Sequence, residues 1–351
     1  MKAAVLTQFR QPLEMLTMPD PKPGPDDAVL EVVCCGICRS DWHAWQEDWT
    51  WFGMKIKPPH ILGHEISGRV IEVGKNVRSY KVGDRVTAAF HTACGHCFAC
   101  STGHSNQCTS GSGSIGFSFQ GGFAQYVSIP QADVNLVRLP DAVDDMSAAA
   151  LGCRFMTAYH GVIERAAVQA GEWVAVFGLG GVGLSALQIA VAAGAQVIAV
   201  DISDDKLQAA QVEGAAVTIN GKSGAAHKEI KALTKGGVNV SVDALGIAET
   251  ALPAIGSLRR GGRHLQIGMT SQKEQGKIAL PVDSMVQQEL SFIGTYGCPV
   301  TSYPRLLSLV ASGKLNPKRF VKDIVSLDQT SDVLTAMTNY STMGLSVINR
   351  W

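Results

Sequence analysis

The sequence carries no excess charge of either sign: 30 lysines and arginines stand against 30 aspartates and glutamates. A neutral chain lacks the positive field with which nucleic-acid binders attract phosphate backbones, so nucleic acid is not an expected partner. Residues 1–12 show no basic head followed by an apolar run, so no signal peptide is expected. No stretch demands a membrane. The longest apolar run, residues 182–200, is interrupted by Gly194 and Gln196 and parses as a buried helix followed by a buried strand. Internal repeats of solenoid period are absent.

Charged residues make up only 17% of the chain and hydrophobic ones 46%, the composition of a soluble globular protein. Its 351 residues suffice for two domains. Nine cysteines without an export signal argue for reduced thiols and a cytoplasmic protein, with metal ligation favoured over disulfides.

Residues 1–138 read as β-rich, with short alternating runs around 28–33 and 67–74 separated by Pro- and Gly-rich turns. From about residue 155 to 297 the pattern changes. Apolar strands at 173–177, 196–200, 216–219, 238–242, 264–267 and 290–294 alternate with helical segments, which predicts βαβ units and a parallel sheet. The tail mixes a helix at 303–312, a second at 327–338 and a strand at 345–348.

Three groups of residues carry chemistry. Cys94-x2-Cys97-x2-Cys100-x7-Cys108 matches a closed tetrahedral zinc site, with four thiolates and no position for substrate. The nearby His91, His96 and His104 are expected in surface loops. Gly178-Leu179-Gly180-Gly181-Val182-Gly183 follows an apolar strand and opens an apolar helix, as a dinucleotide fingerprint does. Gly178 allows the tight turn, Gly180 lets the backbone approach the pyrophosphate, and Gly183 lets helix and strand pack closely. The helix N-terminus offers free N–H groups to phosphate. Asp201 ends the next predicted strand, where a carboxylate accepts the adenosine-ribose hydroxyls and repels a 2′-phosphate. Finally, Cys38, His64 and Cys153 supply two thiolates and an imidazole, a set that suits one zinc and leaves a fourth position open. Each of the three alone reads equally well as a buried interior residue.

Together with Gln120-Gly121-Gly122-Phe123-Ala124-Gln125-Tyr126, these motifs stand in an order that resembles the zinc-dependent medium-chain alcohol dehydrogenases. The resemblance spans the whole chain. It implies an α/β architecture: a GroES-like β-rich catalytic domain from residues 1–154 and 298–351, and a Rossmann NAD-binding domain, a doubly wound parallel sheet, from residues 155–297. The active site would lie in the cleft between them. The segment from Cys38 to Trp49 is most similar to the yeast-type tetrameric branch, which implies a homo-oligomer, tetrameric or else dimeric.

Residue by residue, the resemblance implies that Cys38, His64 and Cys153 bind a catalytic zinc and that Cys94, Cys97, Cys100 and Cys108 bind a structural one, two ions per chain. Ser40 matches the hydroxyl that contacts the substrate oxygen, and His43 the end of the proton relay. Asp41 matches the carboxylate that orients the ligand histidine, and Glu65 the carboxylate behind the metal. Arg39, Thr157, Asp201 and Lys206 match cofactor contacts, beside the fingerprint itself. Arg154 departs from the pattern, standing where a small residue is common.

The implied reaction is reversible oxidation of an alcohol to an aldehyde or ketone by NAD. Trp45, Trp49, Trp51, Phe52 and Phe90 form an aromatic set expected to line a pocket for a small to medium primary alcohol, aliphatic or benzylic. The rivals are a polyol, threonine or formaldehyde dehydrogenase of the same fold, a zinc-free quinone reductase, and a non-catalytic NAD-binding protein. Intact ligand sets argue against the last two. Cys34, Cys35 and Cys298 are left without a metal role.

Overall fold

The computed structural model describes residues 1–111, 113–338 and 344–351. It divides into two compact units, Met1–Met156 with Gly297–Trp351, and Thr157–Tyr296.

The second unit is built on a six-stranded parallel sheet. Its spatial order is Val217–Asn220, Gln196–Asp201, Trp173–Phe177, Val238–Asp243, Leu258–Gln266 and Ser291–Gly294. The first strand in sequence sits inside the sheet and the chain winds outward from it in both directions, which creates a switch point at its C-terminal end. Parallel strands are covered on both faces, so they read as continuous apolar runs. Ala175, Phe177, Ile198, Val200 and Ile219 are accordingly buried in one cluster with residues of the covering helices. The run at 182–200 resolves into helix Gly181–Ala192 and strand Gln196–Asp201. Among the described residues no helix is long and apolar enough to cross a membrane. The fifth strand starts at Leu258, earlier than the expected 264, because exposed Arg259, Arg260 and the Gly261-Gly262 pair mask its first half.

In the first unit, strand Ala28–Ile37 is central. It pairs antiparallel with Glu65–Val73, with Tyr126–Ile129 and with Leu345–Arg350, so the C-terminal tail completes a sheet begun near the N-terminus. Register places Gly36 opposite Glu65. The strand therefore ends at Cys38 beside the start of the strand that follows His64. Helix Arg39–Trp45 begins immediately after Cys38, which turns this corner into a place where the segments bearing Cys38 and His64 meet. In the tail, helix Tyr303–Ala311 follows expectation, while the last helix is Thr330–Thr338 preceded by a 3₁₀ turn at Leu327–Gln329.

Candidate active site and metal centres

The Cys38, His64 and Cys153 ligand atoms all lie within 4.8 Å of one another. One side chain does most of the assembly. Asp41 is fully buried; its Oδ2 accepts the backbone N–H of Cys38 at 2.8 Å. Its Oδ1 accepts from Gly63 N at 3.0 Å and from His64 Nδ1 at 2.9 Å. A single carboxylate thus closes the first turn of the helix, ties in the second ligand segment and sets the imidazole tautomer. Asp41 offers only acceptor oxygens, so Nδ1 carries a proton, and in the neutral imidazole that a metal requires the lone pair would be on Nε2. That Nε2 is buried and has no hydrogen-bond partner, a costly state for a polar atom that a metal ion would relieve. The hydrogen bond from Cys153, with Arg154 and His64 nearby, holds the Cys38 thiol well below its ordinary range. Two sulphurs and an imidazole lone pair fit zinc, and the donor set leaves room for a fourth ligand.

Glu65 lies beside this centre in a cradle cleared by glycines. A Cβ on Gly36 would stand 2.3 Å from Glu65 Oε2, and one on Gly152 would stand 2.5 Å from its Cβ and Cγ. Arg154 grips the carboxylate: Nε donates to Oε1 at 3.1 Å and Nη2 to Oε2 at 2.5 Å. Nη2 also donates to Ile37 O at 3.2 Å. Burial pushes the Glu65 carboxyl up to about 6, against the pull of Arg154. The arginine that departs from the family pattern is therefore the counter-charge of the buried glutamate.

Ser40 Oγ stands 3.8 Å from Cys38 Sγ and 4.0 Å from Cys153 Sγ, beside two of the ligand atoms. His43 follows one turn later on the same helix. Its Nδ1 is 2.5 Å from Asp48 Oδ2, and Trp49 stacks on its ring at 4.3 Å. His43, Phe9, Ala44, Trp49 and Ile56 line a cavity of about 360 Å³. The aromatic set does not act as one lining. Trp45 belongs to the hydrophobic core, with its indole N–H donated to Gln11 O at 2.6 Å. Phe52 is 55% exposed and lies edge-on to Trp51. Phe90 does approach the centre, 5.9 Å from the His64 ring, and Phe117 stands closer at 4.9 Å.

In the four-cysteine lobe, sulphur–sulphur distances are 3.9 Å for Cys94–Cys100, 3.5 Å for Cys97–Cys100 and 3.9 Å for Cys97–Cys108. Four thiolates about 2.3 Å from one zinc have tetrahedral edges of about 3.8 Å, so the cluster has the size that a zinc ion would require. Backbone N–H groups of Cys97 and Cys94 point at Cys94 Sγ and Cys108 Sγ, both at 3.3 Å. His96 and His104 are exposed as expected, but His91 is not in a surface loop. It is buried, and its Nε2 accepts from Cys298 N at 3.1 Å.

In the parallel-sheet unit the fingerprint glycines divide their tasks. Gly178 has φ +85° and a Cβ there would meet Leu245 at 2.0 Å; a Cβ on Gly183 would strike Gly178 O at 1.8 Å. Nothing lies within 4 Å of the Cβ position of Gly180, leaving open space ahead of the helix that starts with Gly181 and Val182. Asp201 closes the turn: Oδ2 accepts Leu179 N at 2.7 Å and Oδ1 accepts Ser203 N at 3.0 Å. Lys206 lies on the following helix, Asp204–Val212, and Thr157 is buried. Arg39 belongs to the other unit; its guanidinium covers the Trp42 ring at 3.7 Å and donates to Met337 O.

Comparison with known proteins agrees with this arrangement. Residues 24–141 match the alcohol dehydrogenase GroES-like domain and residues 181–312 the zinc-binding dehydrogenase domain. An alcohol dehydrogenase of Geobacillus stearothermophilus is 34% identical over 340 residues, covering 96% of this chain and 95% of that one. The chain belongs to the zinc-dependent medium-chain alcohol dehydrogenase family. A sorbitol dehydrogenase of Bacillus subtilis (strain 168) is 33% identical over 350 residues, covering 99% of this chain and 96% of that one. A solved structure from Sinorhizobium meliloti 1021, described as a zinc-binding dehydrogenase bound to NADP, superposes with a TM-score of 0.85 at 30% identity. It covers 99% of this chain and 98% of that one.

As a medium-chain dehydrogenase, the chain has three contacts that sequence reasoning missed: Asp48 on His43, Arg154 on Glu65, and Phe117 against His64. Charge offered a signal for the first two. A lone arginine next to a cysteine ligand needs a partner if it is buried, and Glu65 is the nearest acid in the same motif set.

Proposed function

We propose that this dehydrogenase interconverts an alcohol and its aldehyde or ketone with NAD, at the centre formed by Cys38, His64 and Cys153. The observation that carries the reading is the buried, partnerless Nε2 of His64 facing two cysteine sulphurs, with the Ser40 hydroxyl beside them. When bound, zinc supplies Lewis acidity toward the substrate oxygen, and the nicotinamide supplies the hydride acceptor. The protein's own part is positional. Asp41 orients His64, Ser40 receives the proton of the alcohol, and His43 ends the path that carries it away. Glu65, neutralised by Arg154, backs the metal site.

Cys94, Cys97, Cys100 and Cys108 would hold a second, structural zinc, giving two per chain. Residues 1–154 and 298–351 would form the catalytic domain and 155–297 the NAD-binding domain, with Arg39, Thr157, Lys206 and the fingerprint contacting cofactor. The Asp201 carboxylate next to the fingerprint turn supports NAD over NADP, because it would repel a 2′-phosphate. Nine free cysteines suit a reducing, cytoplasmic setting. A homo-oligomer, tetrameric or else dimeric, is supported by edge strand Ser291–Gly294, with Phe292, Val282 and Val286 exposed. An open edge of this kind invites pairing with another chain.

Phe90 and Phe117 beside His64 favour a small to medium primary alcohol, aliphatic or benzylic. Each unpaired hydroxyl of a polyol against such rings would cost about 1–3 kcal/mol. The sorbitol dehydrogenase relative keeps the polyol reading as the alternative. The test is reduced-cofactor production across primary, secondary, aromatic and polyol substrates with both cofactors. Sorbitol or threonine turned over more efficiently than benzyl alcohol would replace the substrate reading, and equal kcat/KM with NAD and NADP would remove Asp201 from cofactor choice.

A further inference from the structure

Helix Arg39–Trp45 does not simply run into a loop. Glu47 takes a left-handed backbone conformation, φ +57°, which is uncommon for a residue with a side chain and carries a cost. That turn folds the chain back on the helix it has just left. Asp48 N donates to His43 O at 2.9 Å, and the Asp48 carboxylate meets His43 Nδ1 at 2.5 Å. The side chains are 15% and 13% exposed, so water competes little for the contact. Trp49 then lies flat on the imidazole, 4.3 Å away and 13° from parallel, while Trp42 meets it edge-on at 5.0 Å. The ring is boxed, and its only described polar partner is an acid.

We propose that Asp48 is a positioning residue that fixes His43 as its Nδ1–H tautomer, leaving Nε2 as the lone pair that receives the departing proton. This rests on the reading of His43 as the end of the proton path. The reason is one of donors and acceptors. A carboxylate offers only acceptor oxygens, whereas a neutral imidazole has one donor and one acceptor nitrogen that exchange freely without a partner. A histidine with its proton on Nε2 cannot accept there, so an unheld ring spends part of its time incompetent. Asp41 and His64 show the same device at the neighbouring ligand, with Nδ1 to Oδ1 at 2.9 Å. The helix thus carries two histidine–aspartate pairings, one that presents a lone pair to a metal and one that presents a lone pair to a proton.

The test uses full-length protein with ¹⁵N-labelled histidine, with the His43 resonances identified from their loss in His43→Gln. In the unmodified protein Nδ1 is expected to carry the proton and Nε2 to be unprotonated. Asp48→Ala should move the pair toward mixed tautomers and lower kcat for alcohol oxidation about tenfold, within what a general base contributes. KM for the cofactor should stay within about twofold. Asp48→Asn, which keeps an acceptor oxygen and the loop geometry, should lose less and covers the event that the alanine variant fails to fold. In a His43→Gln background, Asp48→Ala should have no further effect. The proposal is overturned if His43 keeps its Nδ1–H tautomer in both Asp48 variants. An equal kcat loss in the presence and absence of His43 would also overturn it, since Asp48 would then act through the fold alone. A tautomer that moves while His43→Gln leaves kcat unchanged would sink the proton-path reading and leave the Asp48 assignment standing.

Discussion

The four-cysteine lobe draws all its sulphurs from residues 94–108, while the Cys38–His64–Cys153 centre takes one atom from each of three distant segments. The lobe is organised by its own backbone, whose N–H groups point at sulphur from within the loop. The second centre is organised by tertiary structure: strand register, a helix start and the buried carboxylate of Asp41. The lobe supplies four sulphurs from its own loop, the full set that a tetrahedral zinc would take. The other brings together three candidate ligand atoms, one short of a tetrahedron, with the Ser40 hydroxyl beside them and His43 one turn further along the same helix. Local geometry suits a staple; an assembled, incomplete site suits a reaction.

The sharpest way to break this comparison is to remove one ligand from each side. Cys38→Ser is expected to lower turnover by at least about 10³, or about 4 kcal/mol of transition-state stabilisation, with thermal stability little changed. Metal content should fall from about two ions per chain to about one. Cys97→Ser should do the reverse. It should lower the melting temperature, because binding free energy at a closed site is folding free energy, while protein that remains folded keeps its turnover. Metal analysis beside activity and thermal unfolding checks both. Turnover surviving in Cys38→Ser but lost in folded Cys97→Ser would mean the two roles are exchanged.

These two centres also differ in how far they can be read from sequence. Four cysteines at close spacing and glycines in a strand–turn–helix context are legible because the chemistry is local, and the structure adds only distances. Cys38, His64 and Cys153 become a site only in combination, since each is individually a plausible buried residue. The contacts that sequence reasoning missed depend on side-chain direction. Trp45 and Trp49 look alike in a list of aromatics, yet Trp45 points into the core and Trp49 covers His43. Arg154 looked like an intrusion because Glu65, its partner, is far away in the chain. His91 looked like a loop residue because the segment that buries it, around Cys298, comes from the tail. The start of the fifth strand was hidden by exposed arginines, whose polarity cancels the apolar signal of the strand.

A milder perturbation separates the centres without touching a ligand. Asp41→Asn keeps the shape of the side chain but weakens its acceptors and lets its amide face the His64 ring. Loss of an outer partner of this kind costs about 10–100-fold in metal affinity. The expected result is that a competing chelator strips the Cys38 centre of the variant first, while the lobe retains its ion. Loss of both ions in parallel would show that Asp41 holds the unit as a whole, not one centre.

The smallest expected effect lies in pH, and only the open centre should feel it. Burial pushes His43 below its ordinary value of 6.5; the Asp48 hydrogen bond and charge oppose this, Arg39 adds to it, and Cys38 acts against it. Glu47, Lys55 and Lys57 also line the neighbouring cavity. The ring is therefore neutral at pH 7 and able to accept a proton. As pH falls below 6.5 and through the lower folded value, the protonated ring can no longer do so, and kcat for oxidation should decline. At the limit the decline is tenfold per unit of pH. The linked stability has the same sign. The unfolded chain takes up this proton first, so the contribution of His43 to stability is complete above 6.5 and is lost as pH drops through the folded value. His43→Gln should flatten this acid limb of the rate profile, leaving a several-fold deficit near neutrality and the ion of the lobe in place. An acid limb of unchanged position and depth in the variant would show that some other group takes the proton.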